Sequence, residues 1–307
     1  MRPAPAKPTP RNIAAAQPTT PEATATRSPA QPPLALIGVD FSSAPRRGKP
    51  ITVARGRLQG GSLRFDRLDE LHDLAAFEAL LNEPGPWLGG FDFPFGLPRE
   101  FVDSLRLGAD ASEVINSVQR RCTNRMAFRG LVDAWGNARP AGQRLLHRRT
   151  DRTLPGISST SPLQTRYVPV GFMYYEGFSR VVGSGVSVPQ MVIGDPARTA
   201  LEAYPGLLAH ELIGARSYKN KNDDDRLIAR KEIIERLEQG RTRLGLRIRL
   251  SHAQRDHLVD DASGDRIDAL LCLVQAAWAS LQTAQLEQPG YGIPAGIDPV
   301  EGWIVSA

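Results

Sequence analysis

Leu34-Ala35-Leu36-Ile37-Gly38-Val39-Asp40-Phe41-Ser42-Ser43-Ala44 is the stretch on which the reading of this chain turns. Its first six residues form a short, nearly continuous apolar run, which predicts a buried strand, and that strand ends on a carboxylate. Further along, Ile51 to Leu58 alternates in polarity, Gln59-Gly60-Gly61 marks a turn, and Leu63-Arg64-Phe65 reads as the returning strand of a hairpin. Leu71, Leu74, Ala75, Leu80 and Leu81 then follow helical spacing, and Asn82 to Pro86 ends that helix. Pro86-Trp87-Leu88-Gly89-Gly90-Phe91 is the next strand. The order β-β-β-α-β describes an antiparallel start followed by a crossover to a parallel neighbour, hence an α/β fold on a mixed sheet.

From about 98 to 190 the pattern is helical and irregular, rich in Arg with scattered Gly and Pro, and reads as an insertion rather than a separate domain. Thr199-Ala200-Leu201-Glu202-Ala203 resumes the strands and halts at Tyr204-Pro205. Asp223 to Glu238 is a charged helix closed by Gly240. Asp265 to Gln282 is the clearest helix, with Ile267, Leu270, Leu271, Val274, Trp278 and Leu281 on one face. Gly302-Trp303-Ile304-Val305 suggests a closing edge strand.

Residues 1–33 differ from the rest. They hold 9 of the 25 prolines, and Ile13 is their only large aliphatic besides Met1. Such a segment buries too little apolar surface to offset its ordering entropy, so a disordered tail is expected before a single domain over 34–307. The tail lacks the apolar core of a signal peptide, and no run of 18 apolar residues occurs in the chain. The expectation is a soluble, cytoplasmic protein without a membrane partner. The net charge is +5, but Arg2, Lys7, Arg11 and Arg27 against Glu22 account for +3 of it in the tail. The basic balance is therefore weak support for nucleic acid binding by the folded part. Cys122 and Cys272 stand alone, without the spacing of a zinc site.

Four acids sit beside apolar runs, where a carboxylate is costly unless something pairs with it. Asp40 ends the first strand. An Asx turn would explain it locally, and a metal ligand at the carboxyl end of a central strand would explain it functionally. Asp92 lies between Phe91 and Phe93, and Pro94, Gly96 and Pro98 restrict the loop that follows, which favours a built site over a plain turn. Glu202, inside an otherwise apolar strand, needs either an Arg or a metal, and the residues leave both open. On the 265–282 helix, Asp268 falls roughly 100° from the core direction and Asp265 roughly 160°. Asp268 can lean over the sheet, whereas Asp265 suits the helix start. Converging carboxylates would suit a hard divalent cation, Mg²⁺ or Mn²⁺.

Other candidates are weaker. His72, His147, His210, His252 and His257 show no metal-binding spacing. Lys219, Lys221 and Arg226 near Tyr218, and the stretch Arg144 to Arg152, could bind phosphate or form solvated faces. Ser158 to Ser161 has no base placed near it, and no P-loop or dinucleotide-binding glycine run is present.

Taken in order, Gly38-Val39-Asp40-Phe41-Ser42-Ser43-Ala44, Asp92-Phe93-Pro94-Phe95-Gly96-Leu97-Pro98, Glu202-Ala203-Tyr204-Pro205 and Asp265-Arg266-Ile267-Asp268-Ala269 resemble the DUF429 family of predicted nucleases with a ribonuclease H-like fold. The likeness runs from Leu34 to the C-terminus. It implies a ribonuclease H-like mixed sheet and a metal site made of Asp40, Asp92, Glu202 and Asp268. The resulting expectation is a metal-dependent phosphodiesterase acting on nucleic acid through two ions, with Asp40 bridging them and Glu202 ligating or orienting water. A nucleotide-dependent phosphotransferase of the same fold, with Asp40-Phe41-Ser42-Ser43 as a phosphate loop and Asp92 as base, is the first alternative. A non-catalytic binding protein is the second.

Overall fold

The computed structural model describes residues 1–5, 33–153, 159–283 and 290–307. The tail expected over 1–33 and Ser158 therefore lie largely or wholly outside the described residues. Pro33 to Ala307 forms one compact unit.

The chain starts with β1 (Ala35–Asp40), β2 (Ile51–Gln59) and β3 (Ser62–Leu71), joined as antiparallel neighbours. Helix α1 (Leu74–Leu81) then carries the chain to β4 (Trp87–Phe91), which lies parallel to β1. The β-β-β-α-β start is as the apolar runs predict. One difference is the length of β3, which continues to Leu71 where helical spacing had been expected to begin. Its second half is held by charge across the strands, Arg57 to Asp66 at 2.7 Å and Arg55 to Asp69 at 2.5 Å, so it shows no apolar alternation. The helix begins only after Asp73, whose side chain accepts from Ala76 N at 2.7 Å as an N-cap.

Residues 99–183 supply α2 (Arg99–Leu105), α3 (Ala111–Arg121), α4 (Arg125–Asn137), a short 3₁₀ turn (Thr150–Arg152), α5 (Val170–Met173), a π-helical turn (Tyr174–Phe178) and α6 (Ser179–Gly183). The sheet is completed by β5 (Val186–Ser187), β6 (Asp195–Glu202) and β7 (Ile248–Arg249). Its order is β5-β6-β4-β1-β2-β3-β7, a seven-stranded mixed sheet within an α/β fold. Helices α7 (Pro205–Ile213), α8 (Asp224–Glu238), α9 (His252–Val259) and α10 (Asp265–Thr283) complete the chain. Among the described residues, no helix is long and apolar enough to cross a membrane.

Strand alternation divides the core into two layers. Ile37, Val39, Phe77, Phe91 and the aromatic residues of 93–178 fill one face of the sheet. Leu36, Leu88, Leu201 and the apolar side of α10 fill the other. Gly302 to Val305 adds to β6 a single parallel bridge, Ile304 to Glu202, rather than the expected edge strand. The rest of that edge of β6 is occupied by β5.

Candidate metal centre

Helix α10 lies on the sheet with no side chain between its backbone and two strand glycines. A Cβ at Gly38 would stand 2.1 Å from Leu273 N and 2.2 Å from Ala269 O, and one at Gly90 would stand 2.6 Å from Cys272 O. Glycine is required at both places by contact rather than by turn geometry. Two residues beyond each glycine, on the same face by strand alternation, comes an acid: Asp40 at the end of β1 and Asp92 just past the end of β4. The two ends are parallel neighbours, and Asp92 N donates to Val39 O at 2.9 Å. The intervening and following residues point the other way. Phe41 packs on Phe93 with ring centroids 4.7 Å apart, and Phe93 on Phe95 at 5.2 Å. Gly177 in the π-helical turn leaves room for the Phe93 ring, which a Cβ would approach to 2.9 Å. An aromatic floor thus holds the backbone while the carboxylates face α10.

Asp268, in the first turn of α10, meets them. Asp40, Asp92 and Asp268 each offer an oxygen within 4.8 Å of the others. Asp268 is buried, while Asp40 and Asp92 are half-buried. Tyr218 Oη donates to Asp268 Oδ1, and Lys219 Nζ donates to Asp268 Oδ2 at 2.5 Å. Among the described residues, no donor hydrogen-bonds the carboxylate of Asp40 or Asp92. An Asx turn therefore does not account for Asp40. Asp265 opens α10, half-buried rather than turned to solvent, and faces Lys49 at 3.4 Å.

The electrostatics follow from crowding like charges in a half-buried place. Burial first, then Asp268, Asp265 and Asp92, raise Asp40 well above the ordinary carboxylate range, against the opposing pull of Lys219. Burial likewise pushes Asp92 up to about 7, with Asp268, Glu202 and Asp265 adding to it and Lys219 opposing. Three oxygen donors with surplus negative charge fit a hard divalent cation of the magnesium or manganese kind.

Glu202, the fourth acid of the sequence reading, stands apart. It is in register with Phe91 and so projects from the face opposite α10. There it accepts two hydrogen bonds from Arg148, Nη1 to Oε2 at 2.8 Å and Nη2 to Oε1 at 2.5 Å, and one from Phe95 N at 2.9 Å. Arg148 is 2% exposed and also binds Asp151, Nη2 to Oδ1 at 2.8 Å. Burial works against the guanidinium charge, yet Glu202 and Asp151 hold Arg148 well above its ordinary value. Of the two roles left open for Glu202, the structure shows the ion pair. Glu202 still lines, with Asp92, Arg148, Thr160, Tyr204 and Lys219, a cleft of about 250 Å³. Of the three aspartates, Asp92 lines that cleft, so a ligand in it would meet the centre at Asp92 and Lys219.

Three features escaped the sequence reading. The repeated Gly-x-Asp spacing, Gly38 to Asp40 and Gly90 to Asp92, was a usable signal for the helix seat. Lys219 stood out only as one of several cations, and Arg148 only as part of an Arg-rich run, because each finds its partner about fifty residues away. Compared with family models, curated proteins and solved structures, the chain matches none, so the reading of this centre rests on its own geometry.

Proposed function

We propose that the protein is a metal-dependent phosphodiesterase that cleaves nucleic acid at the Asp40–Asp92–Asp268 centre. One observation carries the reading: three carboxylates from stretches more than fifty residues apart converge within 4.8 Å, and two of them have no protein donor among the described residues. Carboxylates left this way are destabilising unless a cation joins them. The antiparallel β1–β3 meander with a crossover to a parallel β4 supports the ribonuclease H-like reading and, with the ordered motifs, the DUF429 likeness. The cations needed are Mg²⁺ or Mn²⁺, which supply Lewis acidity at the phosphoryl oxygens and a water ready to attack.

The chain's own part is positioning. Asp92, which lines the 250 Å³ cleft, and Asp40 beside it, both fixed by the aromatic floor beneath them, would hold the cation. A space of that order suits a single nucleotide unit rather than an enclosed duplex. In the hydrolysis, water adds to phosphorus, the ester P–O bond breaks, and the leaving oxygen departs with a proton from solvent. Glu202, held by Arg148 and Phe95 N, shapes the far wall of the cleft instead of ligating the ion.

The decisive assay is cleavage of labelled DNA and RNA in Mn²⁺ by the wild type and by Asp40→Asn. Cleavage by the wild type alone is expected, and equal activity in both proteins would sink the proposal. ATP consumption without strand cleavage would move the centre to the phosphotransferase reading.

A further inference from the structure

The carboxylate centre already contains a cation. Lys219 Nζ lies 2.5 Å from Asp268 Oδ2, and its charge also acts on Asp92 and Asp40. The segment that carries the lysine is pinned from several sides. Tyr218 Oη donates to the other oxygen of Asp268, and Asn220 N donates to Ala262 O at 2.9 Å. Arg226 Nε donates to the Lys219 carbonyl at 3.1 Å. Arg230, 1% exposed, donates Nη1 to the Tyr218 carbonyl at 2.9 Å and Nε to Val259 O at 2.7 Å. Gly264, at φ +85°, brings the loop before α10 so near that a Cβ there would lie 2.5 Å from Lys219 Cβ. A buried arginine satisfied by backbone carbonyls is an unusual support for a residue whose only task is solvation. It fixes the backbone from which the Lys219 side chain reaches Asp268.

Charge then limits what else the centre can accept. Once a bound metal has displaced their protons, the three carboxylates carry −3 and Lys219 carries +1, leaving −2, while Asp265 is offset by Lys49. One divalent ion neutralises that remainder. A second would leave the half-buried centre with excess positive charge beside an ammonium held in place, and repulsion at such spacing is strong where water is partly excluded. The donors divide in the same way: Asp268 is occupied by Tyr218 and Lys219, whereas Asp40 and Asp92 have no donor among the described residues.

We propose that Lys219 takes the place of a second metal ion, so that the centre holds one divalent cation, bound through Asp40 and Asp92, while Asp268 stays with the lysine. The inference rests on the metal-centre reading above and deepens it by replacing the two-ion expectation with one ion and a built-in ammonium. Lys219 also lines the cleft, where its ammonium would be available to a phosphoryl oxygen.

The test is calorimetric titration of the full chain with Mn²⁺, paired with electron paramagnetic resonance of the bound ion. The expected wild-type result is one Mn²⁺ per chain with an uncoupled spectrum. Lys219→Met is expected to bind two, and Lys219→Arg to remain at one. Two ions in the wild type, or a spin-coupled pair, overturns the role of Lys219 and leaves the metal centre standing. A count of one in Lys219→Met with an unchanged circular dichroism spectrum overturns it as well. If Lys219→Met does not fold, the wild-type count decides by itself. No Mn²⁺ bound by the wild type, or equal binding by wild type and Asp40→Asn, removes the metal centre and this inference with it.

Discussion

Two groups of buried acids lie on opposite faces of the same sheet and have opposite characters. On one face, Glu202 and Asp151 share Arg148, which donates to both, while Phe95 N also donates to Glu202 Oε2 and Ser159 Oγ also donates to Asp151 Oδ1. On the other face, the donors to Asp40, Asp92 and Asp268 among the described residues are Lys219 and Tyr218, and both of those serve Asp268. The first group is closed, since its charges nearly balance and its donors are matched. The second is open, with surplus charge and two carboxylates without donors among the described residues. A carboxylate near the core is therefore not in itself a functional signal. The distinction lies in whether the protein has supplied the counter-charge.

The contrast breaks most visibly at Arg148. Arg148→Met leaves Glu202 and Asp151 buried without their guanidinium, and should destabilise the fold by about 3–5 kcal/mol in urea denaturation. A loss below about 1 kcal/mol would show that the closed group does not hold the cleft wall. In the open group the expectation reverses. Asp40→Asn removes like-charge repulsion, so thermal stability without metal should hold or rise, while Mn²⁺-dependent cleavage falls by about 10²–10³-fold. Loss of stability together with activity would place Asp40 with the closed kind.

Gly38→Ala probes the seat of α10. The added Cβ meets backbone at 2.1 Å, which no side-chain rotation relieves, and a destabilisation of about 1–3 kcal/mol with weakened Mn²⁺ binding is expected. Unchanged metal affinity would show that the close seat does not set the spacing of the three acids. The smallest effect concerns pH. Asp92, pushed up to about 7, and Asp40, raised with it, keep protons in the metal-free fold after the unfolded chain has released them. Folding then takes up protons, so metal-free stability should decline as pH rises from about 4 to about 7, by a few degrees in melting temperature. Added Mn²⁺ should reverse the trend above that range. A melting temperature that climbs steadily across it without metal would contradict the raised values.

The three aspartates were legible because each lies beside an apolar run that only a strand or a buried helix face explains, and because helical geometry separated Asp268 from Asp265. Glu202 misled for a related reason. It too sits in an apolar run, but period-two alternation assigns it to the far face only once its register with Phe91 is known, and register depends on non-local pairing. The second half of β3 was hidden because Arg55–Asp69 and Arg57–Asp66 replace apolar alternation with charge pairing. The helices and the π-helical turn described between Arg99 and Phe178 were legible only as a helical, irregular stretch, since their shared aromatic packing is set by contacts across the layer rather than along the chain.

Cys272 lies on α10 against Gly90, wholly buried, and Cys122 lies buried in the opposite layer. The chain thus carries one native thiol in each layer and no others. Burial, then the fields of Asp92, Asp268 and Asp40, keep the Cys272 thiol protonated and unreactive while the helix is seated. Alkylation of that single sulfur becomes a clock for the lifting of α10, and the Cys122 rate in the same sample is its internal reference.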